Sequence, residues 1–298
     1  MRILLTGGNG QVGWELRRSL AGLGEVIAPA RTDLDLASTD SIAAAVRGIR
    51  PDLIVNAGAY TAVDKAESET DLAMRVNGIA PRVLAEEAMR SGAMIVHYST
   101  DYVFDGEKPG AYVEDDLASP LNVYGRTKLA GERAIAEAGC PHLIFRTTWI
   151  YGPRGQNFFL MMSRLSRERK ELTIVNDQFG APTPARFVAD ATAVAIQKTL
   201  IEDRLGHDRF RPMGGTYHMT ASGRTNWYDF AVEILRGQEG GAALRPIPSA
   251  DYPTPAKRPR NSLLDNARLK QVFGISLPDW KAGLRLCQEE LETARRGA

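Results

Sequence analysis

Arg2-Ile3-Leu4-Leu5-Thr6-Gly7-Gly8-Asn9-Gly10-Gln11-Val12-Gly13, at the start of the chain, is the stretch that decides the fold. Residues of strand type run directly into a turn with the spacing G-x-x-G-x-x-G, and a helical pattern follows. Glycine at these places allows a tight turn, close approach of backbone N–H groups to a pyrophosphate, and packing of the helix on the strand. The stretch therefore predicts a dinucleotide-binding βα unit.

The same alternation of strand and helix continues through the first half of the chain. Apolar runs predict strands at 2–6, 25–28, 53–56, 93–98 and 142–146. Helical patterns lie between them, near 11–22, 39–49, 68–91 and 120–138. Strands that are apolar throughout are covered on both faces, so the pattern indicates an α/β fold with a Rossmann-like, doubly wound parallel sheet.

The alternation weakens after residue 150. Further helices are predicted near 157–169, 184–200, 225–236 and 279–296, and a proline-rich stretch over 246–260 is expected to be extended. We expect a dinucleotide-binding domain over 1–149, to which later segments are added, and a smaller C-terminal α/β lobe over 150–298 that binds substrate.

Composition excludes several classes of protein. The net charge of the 298 residues is +1, so no overall field favours nucleic acid. No apolar run approaches the roughly 18 residues of a membrane helix. Cys140 and Cys287 form no C-x-x-C pair, and the four histidines lack ligand spacing, so we expect no metal site, no disulfide framework and a cytoplasmic location.

Tyr124 and Lys128 form the only Y-x-x-x-K in the chain. On a helix this spacing stacks the two side chains on one face, and we expect the ammonium to lower the pKa of the phenol. Thr100 ends the fourth strand, where a hydroxyl faces a ligand in a doubly wound sheet, and Ser99 is the rival for that task. A solvated surface pair and a polar strand end in water are the alternatives.

A nicotinamide cofactor is predicted from three places in the sequence: the glycine turn, the end of the second strand and the end of the third strand. An arginine after the second strand suits the 2′-phosphate of NADPH, and NADH remains the alternative, because Arg31 also reads as a solvated loop charge. The predicted cofactor-binding residues are Gly7, Asn9, Gly10, Gln11, Val12, Gly13, Arg31, Asp35, Leu36, Ala59, Tyr60, Thr61, Tyr124 and Lys128.

Together with these motifs, the strings at 61–67, 99–104, 119–125 and 176–183 resemble the extended short-chain dehydrogenase/reductases, in particular those that reduce 4-keto-6-deoxy sugars carried on dTDP. The resemblance runs from residue 1 to about residue 285. It implies NAD(P)H-dependent reduction of the C4 ketone of dTDP-4-dehydro-6-deoxy-L-mannose to dTDP-L-rhamnose, with Thr100, Tyr124 and Lys128 as catalytic residues.

The same resemblance implies a set of substrate contacts. It places Thr100, Asp101 and Trp149 at the sugar. Its candidates for the nucleotide end are Asn176, Gln178, Phe179, Arg258, Pro259 and Ser262.

This chain departs from the pattern of the family and of related families at some positions, and alternative functions stay open. Some members hold magnesium between two subunits through acidic side chains; Arg186 in this chain speaks against that ion, and a monomer or a homodimer is expected. Related 4,6-dehydratases have Thr-Asp-Glu where this chain has Tyr102 in third place, which disfavours dehydration. Epimerisation by re-reduction and a non-catalytic role, like that of a methionine adenosyltransferase regulatory subunit, stay open.

Overall fold

A computed structural model describes residues 1–204, 213–237 and 241–296 of the chain. The strands are β1 (Arg2–Thr6), β2 (Glu25–Ile27), β3 (Leu53–Asn56), β4 (Met94–Thr100), β5 (His142–Thr147), β6 (Ile150–Tyr151), β7 (Glu171–Val175), β8 (Phe179–Gly180), β9 (Thr183–Pro184), β10 (Gly215–His218), β11 (Thr225–Asn226) and β12 (Ala243–Ile247). The helices are α1 (Gln11–Ser19), α2 (Thr39–Ile49), α3 (Val63–Ala66), α4 (Thr70–Met74), α5 (Ala80–Ser91), α6 (Val123–Ala138), α7 (Phe158–Glu168), α8 (Ala185–Arg204), α9 (Trp227–Leu235), α10 (Ala267–Phe273) and α11 (Trp280–Arg296).

A six-stranded parallel sheet forms the centre of the molecule, in the order β2-β1-β3-β4-β5-β10. The chain passes from β1 to β2 on one side and then returns across β1 to β3 on the other. Such a reversal opens a crevice beyond the carboxyl ends of β1 and β3, which is where ligands bind in doubly wound sheets. The glycine turn follows β1 and therefore borders this crevice.

Alternate residues of the strands fill two separate apolar cores. Leu4 faces the layer of α2, α5 and α6, whereas Ile3 and Leu5 face the layer of α1 and α8, and all three side chains are fully buried. Both faces of the sheet are thus covered by helices, as the uninterrupted apolar runs require. The predicted α/β doubly wound fold is confirmed.

A third apolar core lies in the second half of the chain. The parallel pair β7 and β12 packs with α7, α9 and α11 around Phe159, Phe230 and Trp280. Other late segments return to the first unit, because α8 packs on α1 and β10 completes the sheet beside β5. The division near residue 149 stays a prediction, and 205–212, 238–240 and 297–298 lie outside the described residues.

The helix predicted over 68–91 is interrupted. Between α4 and α5 the turn Arg75–Ile79 is π-helical, which widens the backbone and turns Asn77 inward. The Asn77 side chain accepts a hydrogen bond from the backbone N–H of Tyr60 at 2.8 Å and donates to the carbonyl of Tyr60 at 3.0 Å. A helical wheel does not reveal this turn, which anchors the loop after β3.

No described helix is both long enough and apolar enough to cross a bilayer.

Candidate active site

A cleft of about 1000 Å³ opens at the carboxyl ends of β1, β3 and β4. Its volume lies at the upper end of the range for ligand pockets, which suits two ligands meeting end to end. The predicted residues that line it are Gly7, Asn9, Gly10, Gln11, Val12, Arg31, Asp35, Leu36, Ala59, Tyr60, Thr61, Thr100, Asp101, Tyr124, Lys128 and Trp149. The structure therefore brings together side chains from well-separated parts of the chain.

The glycine turn has the shape that a dinucleotide needs. Gly7 adopts a left-handed backbone with φ of 66°, and a Cβ at Gly13 would lie 2.1 Å from the carbonyl oxygen of Gly7. Gly13 lies outside the cleft lining and lets α1 pack against the turn. The amino end of α1 thus faces the cleft with free N–H groups, so these residues fit a pyrophosphate.

The end of β2 offers one basic and one acidic side chain. Arg31 Nε lies 3.8 Å from Asp35 Oδ1, and the Arg31 side chain is 81% exposed. Because this pair is loose and solvated, the guanidinium is free to turn toward a ligand phosphate.

Residues beyond 150 also reach this cleft. Asn157, which caps α7, donates from Nδ2 to Gln11 Oε1 at 2.9 Å and so ties the second lobe to the glycine turn. Gly155, Gln156 and Trp227 line the cleft but belong to no motif, and sequence reasoning missed them. Only the fold of the second lobe over the first brings them there.

Tyr124 and Lys128 lie on the first turns of α6. Asn122 caps this helix by accepting the N–H of Gly125 at 2.8 Å. A Cβ at Gly125 would lie 2.1 Å from the carbonyl oxygen of Tyr102, so glycine allows α6 to meet the turn that follows β4. This close approach brings the Tyr124 phenol to Thr100.

Tyr124 is half-buried, and its phenol lies next to the Thr100 hydroxyl in the wall of the cleft. Burial raises the pKa of Tyr124 to about 12, against a smaller lowering by Thr100. Thr100, and not its rival Ser99, is thus the hydroxyl that touches the phenol. Among the described residues, Ser99 Oγ has no hydrogen-bond partner.

The prediction that the pKa of Tyr124 is lowered overall is wrong, because burial raises it. Lys128 Nζ turns toward β4, where it donates to the carbonyl oxygen of Tyr98 at 2.5 Å and lies 3.2 Å from His97 Nε2. Burial lowers the pKa of Lys128 itself to about 8. Loss of water around both groups therefore outweighs the attraction between them.

Asp101 lies beside this pair. Its Oδ1 accepts from the Thr100 hydroxyl at 3.0 Å, and the hydroxyls of Thr148 and Ser262 lie near the carboxylate. Burial raises the pKa of Asp101 to about 6, and among the described residues its Oδ2 shows no direct partner in the cleft. Ser262, predicted at the nucleotide end, instead lies against Asp101.

Two tryptophans form an aromatic wall at the mouth of the cleft. The rings of Trp149 and Trp227 are stacked with centroids 3.6 Å apart. Trp149 adopts a left-handed backbone with φ of 47°, a costly conformation for a bulky residue that is typical of functional sites. A flat indole of this kind suits the apolar face of a sugar.

The remaining predicted nucleotide contacts lie outside the lining of this cleft. Arg258 forms a two-point ion pair with Asp64 at 2.8 and 2.9 Å. Gln178 donates to the hydroxyl of Ser249 at 2.9 Å. The ring of Phe179 lies beneath the guanidinium of Arg224. Asn176 donates its backbone N–H to the carbonyl of Ile247 at 3.0 Å, and Pro259 lies against Gly106. Their role toward a nucleotide stays a prediction.

The surroundings of Arg186 do not fit a divalent cation. Arg186 Nε lies 3.2 Å from Glu15 Oε2, and Arg186 Nη2 lies 3.1 Å from Glu290 Oε1. The guanidinium therefore occupies the space between the two carboxylates. The described part of the chain holds no group of three or more His, Cys, Asp or Glu suited to a metal.

Comparison with known proteins agrees with this geometry. The family model described as RmlD substrate binding domain matches residues 1–293. A dTDP-4-dehydrorhamnose reductase of Burkholderia thailandensis is 50% identical, over 98% of this chain and 99% of that protein. The crystal structure of a dTDP-4-dehydrorhamnose reductase from Clostridium acetobutylicum is 38% identical with a TM-score of 0.88, over 98% of this chain and 100% of that chain.

A further crystal structure, of dTDP-4-dehydrorhamnose reductase from Bacillus anthracis in complex with NADP, is 33% identical with a TM-score of 0.86, over 97% of this chain and 99% of that chain. Matches of this extent confirm the resemblance drawn from the motifs. The chain belongs to the RmlD substrate-binding-domain family, the family of the dTDP-4-dehydrorhamnose reductases.

Proposed function

We propose that the protein uses NADPH to reduce the C4 ketone of dTDP-4-dehydro-6-deoxy-L-mannose, which yields dTDP-L-rhamnose. The single observation that carries the proposal is that the Tyr124 phenol lies next to the Thr100 hydroxyl, in the same cleft as the glycine turn. The names of the relatives and the NADP bound in the Bacillus anthracis structure support it.

The chain supplies the acid for this reaction. A bound nicotinamide cofactor supplies the hydride that reaches the carbonyl carbon. Tyr124 donates its phenolic proton to the carbonyl oxygen as negative charge develops there, and the Thr100 hydroxyl holds the phenol and that oxygen together. Because the pKa of Tyr124 is raised to about 12, the phenol is fully protonated at neutral pH and is ready to act as an acid.

Lys128 supports the phenol after the proton has left. A phenolate in a buried site is costly unless a cation lies near it. Lys128 follows Tyr124 by one helical turn, so its ammonium stabilises the phenolate and offers a donor to the cofactor ribose. The strand carbonyl of Tyr98 fixes the direction of that donor.

Asp101 and Trp149 orient the sugar. The free oxygen of Asp101 is placed to accept a sugar hydroxyl, which would satisfy a buried atom that is otherwise unpartnered. The indole of Trp149 packs on the opposite, apolar side of the ring. Together they restrict the sugar to the pose in which C4 faces Tyr124.

Reduction is favoured over the two related reactions. The related dehydratases have a glutamate at the third position of the triplet that begins with Thr100, where this chain has Tyr102, and burial raises the pKa of that phenol far above neutrality. Epimerisation would return the hydride to the sugar and leave the cofactor unchanged. The relatives at 45% to 50% identity are named dTDP-4-dehydrorhamnose reductases.

We also propose NADPH as the preferred cofactor, since the exposed Arg31 is placed to pair with a 2′-phosphate. A cytoplasmic location stays a prediction; Cys140 and Cys287 are both buried and unpaired.

The test is a coupled measurement of cofactor and product. The purified chain is mixed with dTDP-4-dehydro-6-deoxy-L-mannose, NADPH absorbance is followed, and the sugar nucleotide is identified at the end point. We expect one NADPH consumed for each dTDP-L-rhamnose formed. Turnover of the sugar without NADPH consumption would establish epimerisation instead, and stable NADPH binding without turnover would point to a non-catalytic role.

A further inference from the structure

A chain of buried polar side chains runs beneath the cleft and ends at Lys128. Thr6 Oγ1 lies 2.6 Å from Asn56 Oδ1, Asn56 Nδ2 lies 3.0 Å from His97 Nδ1, and His97 Nε2 lies 3.2 Å from Lys128 Nζ. None of the four residues is more than 2% exposed. They come from the ends of β1 and β3, the middle of β4 and helix α6, so the polar chain links the strands that border the cofactor turn to the helix of Tyr124 and Lys128.

Each group in this chain depends on the next for its hydrogen bonds. His97 is buried within the sheet, and burial together with the Lys128 charge lowers its pKa well below the ordinary value. Its ring is therefore neutral, with one nitrogen that donates and one that accepts. The hydrogen bond at one nitrogen decides which proton the other can offer to Lys128.

The hydrogen bonds among Thr6, Asn56, His97 and Lys128 can run in either of two directions. If Thr6 donates to Asn56 Oδ1, then Asn56 donates to His97 Nδ1, His97 carries its proton on Nε2, and Lys128 must accept as a neutral amine. If the Asn56 amide is rotated by half a turn, His97 Nδ1 donates to Asn56, and Nε2 accepts from Lys128 as an ammonium. The two ends of an amide have the same shape, so both directions fit the same heavy atoms.

The consequence for Lys128 is that His97 is one of its two anchors. In the charged state the ammonium has three protons, of which one goes to the Tyr98 carbonyl and one to His97 Nε2. The third is left for the cleft. Without the imidazole, a long flexible side chain is held at one point only, and a buried cation loses one of its few hydrogen-bond acceptors.

We infer that His97 is a positioning residue of the reductase: its imidazole, oriented by Asn56 and Thr6, holds Lys128 Nζ beside the catalytic tyrosine and accepts its hydrogen bond when the lysine is charged. The inference rests on the proposed function. It assigns a task to a buried strand residue that no motif singled out, since the sequence reads His97 as a lone histidine.

The test compares His97→Leu and His97→Gln with Ile95→Ala. Leucine fills the space without hydrogen-bonding, and glutamine restores a polar group near Nε2. Ile95 lies two residues earlier on the same face of β4, fully buried, and is outside the polar chain and the cleft, so its truncation measures the effect of lost packing alone. The measurements are the thermal midpoint, kcat, and kcat/KM as a function of pH.

For His97→Leu we expect kcat to fall about 10- to 100-fold, the range for a hydrogen bond to a charged group. Its kcat/KM should also begin to fall at a lower pH than in the wild type, since the charged lysine has lost an acceptor. His97→Gln should recover most of both properties. Ile95→Ala should lower the thermal midpoint but keep kcat and the pH profile.

A folded His97→Leu with the wild-type kcat and pH profile would overturn the inference, as would equal losses in His97→Leu and Ile95→Ala. If His97→Leu does not fold, the isosteric Thr6→Val replaces it: a smaller shift of the pH profile in the same direction supports the inference, and no shift overturns it. Failure of the wild-type chain to oxidise NADPH with the keto sugar would instead contradict the proposed function, so the two failures are distinguishable.

Discussion

Tyr124 combines burial with a hydroxyl partner, and this combination decides what the residue can do. Burial holds the phenol protonated by raising its pKa to about 12, and Thr100 keeps the proton directed. An alkoxide that forms at the substrate is far more basic than a phenolate, so the proton moves without any further lowering of the phenol pKa. In the proposed reduction, the residue therefore serves as the acid.

Replacing Tyr124 by phenylalanine should remove the acid and leave the cofactor site in place. We expect kcat to fall about 100- to 10,000-fold, the usual contribution of a positioned acid. The Kd of NADPH, measured by fluorescence titration, should change little because the ring remains. Tyr217→Phe is the matched control, a buried tyrosine on β10 outside the cleft. A Tyr124→Phe variant with most of the wild-type kcat would show that another group supplies the proton.

The charge of Lys128 predicts the alkaline limb of the rate. Its pKa is lowered from 10.5 to about 8 by burial, so the ammonium is present below about pH 8 and is lost as the pH rises through that value. We expect kcat/KM, which reports the free enzyme, to fall above about pH 8.

The lowered pKa of Lys128 also determines how the free energy of unfolding depends on pH. Between about pH 8 and 10.5 the unfolded chain binds more protons at this lysine than the folded chain, so this group makes folding more favourable as the pH rises. Loss of rate in that interval is therefore not unfolding caused by Lys128, and a thermal melt at each pH is the control. A kcat/KM that stays flat to pH 10 would contradict the assignment of the charged lysine.

At the residue scale, the sequence predicts the catalytic set but not its contacts. The spacing of Tyr124 and Lys128 places them on one helical face. It does not show that the carbonyl of Tyr98 and the ring of His97 face the lysine, because those contacts depend on how α6 packs on β4. This is why the predicted direction of the Tyr124 pKa shift is wrong.

Among the secondary-structure elements, the turn between β1 and α1 has the tightest steric requirement. The Gly13→Ala variant should bind NADPH at least about 10-fold more weakly, because its Cβ would meet the carbonyl oxygen of Gly7 at 2.1 Å and push the turn outward. Gly22→Ala is the matched control, since nothing lies within 4 Å of a Cβ there. Equal affinities of the two variants for NADPH would show that the turn does not bind the pyrophosphate.

The sequence predicts the first half of the chain better than the second. The buried strands β1, β3, β4 and β5 are apolar runs between helical segments. This pattern can be recognised from the local sequence alone. By contrast β7 alternates exposed and buried residues and β12 contains Pro246, so neither resembles a core strand. They form a sheet only with each other, through a pairing that local sequence does not encode.

For the molecule as a whole, polar contacts join the two halves around the cleft. Arg258 and Asp64 are paired at one side, and Asn157 and Gln11 at the other. The sequence predicts that the glycine turn and the helix of Tyr124 and Lys128 lie at the same edge of one sheet, and both line the cleft. It could not place Gln156 or Trp227, which reach the cleft only through the packing of the second lobe.

The contact of Arg186 with Glu15 and Glu290 predicts independence from magnesium. Arg186 lies between the two carboxylates and Arg18 also pairs with Glu15, so two guanidinium groups already balance the charges that a divalent cation would need. We expect the same kcat and the same thermal midpoint with added magnesium and after treatment with EDTA. A rate that falls with EDTA and recovers on addition of magnesium would show that Arg186 moves aside for the metal.

The most direct test of hydride transfer to C4 uses NADPH that carries deuterium at the transferred position of the nicotinamide. The wild-type chain is allowed to consume this cofactor with dTDP-4-dehydro-6-deoxy-L-mannose, and the product is examined by NMR and mass spectrometry. We predict one deuterium per sugar, at C4, for each cofactor oxidised. Deuterium that remains in the cofactor, or that appears at another carbon of the sugar, would contradict the proposed reduction.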